Sequence, residues 1–311
     1  DMEKLAAQAR ELGASTSWSA TEAAEAMKYL AMAGLSVEET MTAMPGMLNL
    51  ASAGAVDLAT SADIASNILS GFGLEAAEIG RVGDVLTNTF TSSNTTLQGL
   101  GETMKYVAPV AAAASVEIED VAAMVAKLGD AGIQGGEAGT ALRAMLLRLA
   151  GPPKMAADAL EELGVATRDA NDNMRPMSEI LADLEREMSK LGTADKIEAA
   201  KRIYGVEAAS AGMVLSAQAA TGALDEMSAA VARQGSSAEV AARMGDTFQG
   251  ALKTLGSAIS EAKIAFGEKF IEPFTEQVQK AAKAVTDFAK SDAFKAMADG
   301  MVSAFKAMVA A

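Results

Sequence analysis

Apolar residues recur along this chain at three- and four-residue steps, the spacing that places side chains on one face of an α-helix. The clearest stretch covers residues 115–165. Val121, Met124, Val125 and Leu128 form one stripe, and Leu142, Met145, Leu146 and Leu149 form a second. Between them, Gly132-Ile133-Gln134-Gly135-Gly136 supplies residues that tolerate positive φ, so one helix can end and another begin within a few positions. Gly151-Pro152-Pro153 stops the second helix, because proline lacks the amide and bars its predecessor from the α region. Ala122, Ala126, Ala131, Ala138 and Ala141 are small enough to let backbones approach. The pattern predicts a helical hairpin built for packing.

The same pattern extends on both sides. A short helix around Leu5 to Leu12 ends at Gly13, and Ser19 or Thr21 caps a second helix that buries Ala23, Ala26, Met27 and Leu30. Ser36-Val37-Glu38-Glu39 is a capping box opening a third helix through Met41, Met44, Leu48 and Leu50, with a bend expected at Pro45. Ala33-Gly34-Leu35 matches Ala131-Gly132-Ile133 at an offset of 98 residues, which suggests a pseudo-repeat. Helices are expected at 63–71, 75–90 and 97–114, the last bent at Pro109, with the polar run Thr89 to Thr96 supplying caps and turns. After Val165, Asp169-Ala170-Asn171-Asp172 forms a turn, so a short β-hairpin is expected within 165–176. An EF-hand reading of that loop fails for want of its Gly and its bidentate Glu.

Helices resume at 177–191, 194–204, 207–220 and 224–234. Ser236-Ser237-Ala238-Glu239 reads as a further capping box, opening a helix of about thirty residues that ends at Phe270. Phe274, Val278, Ala281, Val285 and Phe288 then step by heptad-like intervals. The seam slips at Lys290-Ser291-Asp292 and resumes with Phe294, Met297, Met301 and Phe305. A solitary helix cannot bury such a seam in water, so self-association into a parallel bundle is expected. The fold class is all-α: short helical hairpins packed into a compact domain, followed by longer C-terminal helices with a coiled-coil-like seam. Three parts are expected: 1–164, 165–265 and, as the start of a helical shaft, 266–311.

Composition narrows the chemistry. Half of the 311 residues are apolar but only 4% are aromatic, a vocabulary of helix formers. With no Cys and no His, this chain holds no disulfide, thiolate centre, imidazole base or His-ligated metal, and no cofactor is expected. The net charge is −15, divided as −10 over 1–150, −6 over 151–239 and +1 over 240–311, which argues against nucleic-acid binding. No apolar run of about eighteen residues is present, so no membrane span is expected. No signal peptide is evident, and a chain starting at Asp1 and ending mid-pattern at Ala311 reads as a fragment. Trp18 is expected to pack against the first helical pair. The adjacent carboxylates Glu38-Glu39 and Glu161-Glu162 point apart on a helix and do not make an acid–base pair.

Successive stretches, taken in order, carry a resemblance. They are Ala33-Gly34 with its following helix, Thr89-Phe90-Thr91-Ser92-Ser93-Asn94-Thr95-Thr96 leading into Leu100-Gly101-Glu102-Thr103-Met104-Lys105-Tyr106-Val107-Ala108-Pro109, and Ala131-Gly132-Ile133 through Gly139-Thr140-Ala141-Leu142-Arg143. Leu163-Gly164-Val165 with Asn173-Met174-Arg175-Pro176, Ile203-Tyr204-Gly205 with Glu207-Ala208, and Met244-Gly245-Asp246-Thr247 follow. Across residues 20 to 275 the chain resembles the core region of phage tail tape measure proteins. Arg233-Gln234-Gly235-Ser236-Ser237 departs from the Asn-rich turn of relatives.

The resemblance implies a structural, non-enzymatic component of a virion tail that sets tail length, nucleates the tail tube and leaves during DNA delivery. It implies copies of itself as partners (a trimer or hexamer), with tail-tube, tail-tip or baseplate proteins and assembly chaperones. Membrane contact would come only from regions outside this fragment. A glycan hydrolase acting on cell walls and a helical membrane-active protein are the alternatives.

Overall fold

The six turns that join most of these helices are built alike, and they organise the fold. At each, a residue in the left-handed region follows the helix: Gly34, Ala55, Gly73, Ser115, Gly132 and Gly164, with φ between +51° and +97°. Its amide donates to the carbonyl three residues back, and the next amide donates to the carbonyl five back, as in Leu35 to Leu30 (3.2 Å), Val56 to Ala51 (3.1 Å) and Ile133 to Leu128 (2.9 Å). These are Schellman turns, which satisfy carbonyls the helix end would otherwise orphan. The residue making the long bond is always apolar and packs on the core: Leu35, Val56, Leu74, Val116, Ile133 and Val165. In the first five, the next residue caps the following helix: Ser36, Asp57, Glu75, Glu117 and Gln134. The turns matched at an offset of 98 residues are two members of this set.

Ala55 and Ser115 take the left-handed conformation without being glycine, at φ +51° and +54°. Replacing either by Gly relieves the Cβ–carbonyl crowding, and a gain of about 0.5–1 kcal/mol is expected in denaturant unfolding. A loss on substitution would contradict the turn geometry.

The computed structural model describes residues 2–247, 249–264, 283, 290, 291 and 294. The chain divides into two compact units, Asp1–Ser257 and Ala258–Ala311. In the first, the helices are α1 (Met2–Ser15), α2 (Ala20–Met32), α3 (Val37–Ala53), α4 (Leu58–Phe72), α5 (Ile79–Ser92), α6 (Leu97–Ala113) and α7 (Ile118–Asp130). There follow α8 (Gly135–Ala150), α9 (Lys154–Leu163), α10 (Met177–Met188), α11 (Thr193–Tyr204), α12 (Ala209–Ala220), α13 (Ala223–Val231) and α14 (Ser236–Gly245). The expectation of an all-α chain holds: the described residues form no strand, only one antiparallel bridge between Arg168 and Met174 where a short hairpin was expected. Asp169 turns that loop by accepting the Asn171 and Asn173 amides at 2.8 and 2.9 Å. Helices α3 and α6 run on through Pro45 and Pro109.

Each helix packs chiefly on the helix two along and not on its neighbour in sequence. Thus α2, α4, α6 and α8 lie side by side in one layer, and α3, α5 and α7 in another. The stripes Val121–Leu128 and Leu142–Leu149 are buried as expected, but α8 lies along α6, and α7 along α5 and α13. Gly139 is one reason. A Cβ there would meet the Thr103 carbonyl oxygen at 2.7 Å, so only glycine lets α8 settle on α6. The chain then returns in reverse order over the second layer, α12 on α7, α13 on α5 and α7, and α14 on α3 and α5.

Two expectations near the end of this unit are corrected. The capping box at Ser236 does not form: Gly235, at φ +80°, precedes α14, and Ser237 is engaged elsewhere. Nor does one helix run to Phe270. It stops at Gly245, and residues 249–264 are helical again after a turn at 246–247. Thr247 Oγ1 accepts the Gly250 amide at 3.0 Å and so restarts the helix. Within the second unit, residues 258–264 are helical, as are Lys283 and Phe294, and 290–291 form a turn and bend.

Candidate functional site

Charged and polar side chains inside a helical stack need partners, and their partners show what the interior is for. Asp84 and Asn88 are four residues apart on α5 and share one face; both are buried. The Asp84 carboxylate accepts the Gly235 amide (2.7 Å), the Ser237 amide (2.8 Å) and the Ser237 hydroxyl (2.7 Å). The Asn88 amide donates to the carbonyls of Val231 (2.9 Å) and Arg233 (2.7 Å). One side chain thus satisfies the start of α14 and the other the end of α13. Together they clasp the turn between these helices.

Other interior polar groups do similar work. Arg148 on α8 donates to the carbonyls of Ile203 (2.8 Å) and Arg202 (2.7 Å), closing the last turn of α11. Arg81 reaches Glu119 (2.7 Å), Glu78 (3.0 Å) and Glu117 (3.2 Å), tying α5 to the start of α7. The hydrogen bond to Glu119 holds its guanidinium still more firmly protonated. Tyr204 is fully buried with its hydroxyl 2.6 Å from Ser216 Oγ, and burial pushes its phenol pKa up.

The carboxylates considered for acid–base work are placed otherwise. Glu39 closes the capping box with Ser36, whose side-chain and backbone hydrogen bonds hold it below the usual carboxylate range. Glu162 lies on Arg202 at 2.6 and 2.9 Å, and that contact lowers it as well. Glu38 and Glu161 are exposed. A general acid needs a pKa raised towards neutrality, the opposite shift. Among the described residues no group of three acids is arranged to hold a metal ion, and no helix is long and apolar enough to cross a membrane.

Of the proposed seam, Phe274, Val278, Ala281, Val285, Phe288, Met297, Met301 and Phe305 lie outside the described residues. Phe294 is 37% exposed, and its amide donates to Ser291 Oγ at 3.2 Å. Sequence reasoning missed the clasp. Its only signal was a charged and an amide residue four apart in an otherwise apolar stretch, Val82-Gly83-Asp84-Val85-Leu86-Thr87-Asn88.

Buried polarity spent on helix ends defines a class: a helical structural module whose interior groups lock elements to one another. Residues 6–205 match the phage-related minor tail protein family, and the chain belongs to it. It is 37% identical to the tape measure protein of Pneumococcus phage Dp-1, over 88% of this chain and 24% of that protein. It is 41% identical to the "Probable tape measure protein" of Escherichia phage P2, over 83% of this chain and 32% of that one. A third relative, from Clostridium phage phiCD119, is 23% identical over 93% of this chain and 32% of its own length. The chain therefore spans about a quarter to a third of these relatives. No solved structure matches it.

Proposed function

We propose that this chain is the folded core region of a phage tail tape measure protein, a structural part of the virion tail. The parent sets tail length, scaffolds polymerisation of the tail tube and leaves with the genome at delivery. The observation that carries this reading is the similarity over most of the chain to two tape measure proteins, at 37% and 41% identity. The internal use of the polar groups supports a structural role without catalysis. The core contacts tail-tip or baseplate proteins. The segment from about 266 onward begins a helical shaft that associates with copies of itself through the apolar seam. Light scattering that found a monomer at micromolar concentration would remove that self-association.

Helix extends about 1.5 Å per residue, so inserting about one hundred helical residues in frame into the parent's shaft is expected to lengthen tails by roughly 150 Å. Electron microscopy of the particles measures this directly. Tails of unchanged length would end the ruler assignment.

A further inference from the structure

Between the clasp and the end of the first unit, the chain is held almost wholly by three serines. Ser236, Ser237 and Ser257 are buried; none of the described residues from 238 to 256 is. The two anchors lie at opposite ends of this segment. At one, Asp84 receives the Gly235 and Ser237 groups and Asn88 holds the Val231 and Arg233 carbonyls. At the other, Ser257 Oγ donates to the carbonyls of Gly13 (2.8 Å) and Trp18 (2.7 Å), with Lys253 Nζ 3.5 Å from the centre of the Trp18 ring. Between the anchors α14 buries no large apolar side chain, and Met244 stays 40% exposed.

The contact with α3 is also incompletely filled. An open pocket of about 210 Å³ lies there, lined by Ala51, Ser52, Ala55, Ala241, Met244 and Gly245. The helices beneath are different. They bury Leu50, Leu86, Val121 and Leu142 completely. Cooperative units of low stability are those with few buried apolar contacts and polar, solvent-reachable attachments.

We propose that the segment from Ala232 to Ser257 is a strap, which undocks from α3 and α5 as one unit while the two helical layers stay folded. The Asp84–Asn88 clasp and the Ser257 pin set its docked population. Undocking uncovers Gly83, above which Ser237 Oγ lies, and one side of Trp18. The fold thereby has two states, strap docked and strap free, without losing its core.

Hydrogen exchange on the full chain tests this. Amides within 236–257 are expected to exchange at least roughly tenfold faster than those of α5 and α7, and Asp84→Ala to speed them by roughly another tenfold with α5 to α8 unchanged. A second measurement uses the absence of cysteine. The Cβ of a cysteine at 83 would lie 3.7 Å from Ser237 Oγ, within reach of a disulfide to a cysteine at 237. Oxidising Gly83→Cys/Ser237→Cys should bring the 236–257 amides down towards the core rate. The proposal is overturned if wild-type 236–257 exchanges as slowly as α5. It is equally overturned if Asp84→Ala speeds exchange through the whole chain, or if the cross-link leaves fast exchange untouched.

Discussion

Replacing Gly212 by alanine is expected to cost about 3 kcal/mol of stability, with a fall in melting temperature of roughly 10 °C. The new Cβ would lie 2.2 Å from the Tyr204 ring, inside any permissible contact. Tyr204 has no room to yield, being fully buried and held by Ser216 at 2.6 Å. Relief therefore requires α12 to move off Tyr204, at the end of α11, which loosens the packing that follows. Gly80→Ala is the matched control, because no atom outside its own helix turn lies within 4 Å of its Cβ. That change should be neutral or stabilise by up to about 1 kcal/mol through helix propensity. Equal melting of the Gly212 variant and the wild type would show that Tyr204 does not occupy this site.

The second large effect is expected at Trp18, which is 2% exposed and is the only tryptophan in the chain. Its indole Nε1 donates to Ser52 Oγ at 3.0 Å, joining the loop before α2 to the end of α3. Trp18→Ala removes the largest fully buried side chain, and an unfolding cost of about 3–5 kcal/mol is expected. Trp18→Phe keeps most of the bulk and leaves Ser52 without its donor, so about 1–2 kcal/mol is expected. Urea unfolding followed by circular dichroism reads both. A loss below that of an ordinary surface substitution would return Trp18 to the role of an exposed, ligand-stacking residue.

Much of this architecture was legible in the chain. Leu30, Val121, Leu142 and Leu149 were picked out as buried by spacing alone and are completely buried. Spacing works because the helix period is a property of the backbone, independent of what the helix meets. The capping boxes at Ser36 and Ser19 were equally readable, since both partners lie within three residues. The same signal misled at Ser236-Ser237-Ala238-Glu239. There Asp84, on α5, takes the Ser237 groups that would have served the local box. A distant buried carboxylate with no other donors in reach competes successfully with an exposed local glutamate.

The turns lie between these cases. Their pattern of a left-handed residue, an apolar residue and a cap is present in the sequence at Gly34, Ala55, Gly73, Ser115, Gly132 and Gly164. Two of the residues are not glycine, so a search keyed on glycine finds the set only in part.

The amino-acid order determined on its own where helices form and which face of each is apolar. It also determined, through the absence of His and Cys, which chemistries this chain cannot supply, and it carried the family likeness. These are effects of neighbours within about five residues, or of composition. Which helix lies on which was decided only in three dimensions. It depends on close contacts such as Gly139 on Thr103 and on a carboxylate meeting amides 151 and 153 positions away. No local period encodes those pairings, because the free energy of burying Asp84 depends on donors that arrive only when the chain folds back over α5.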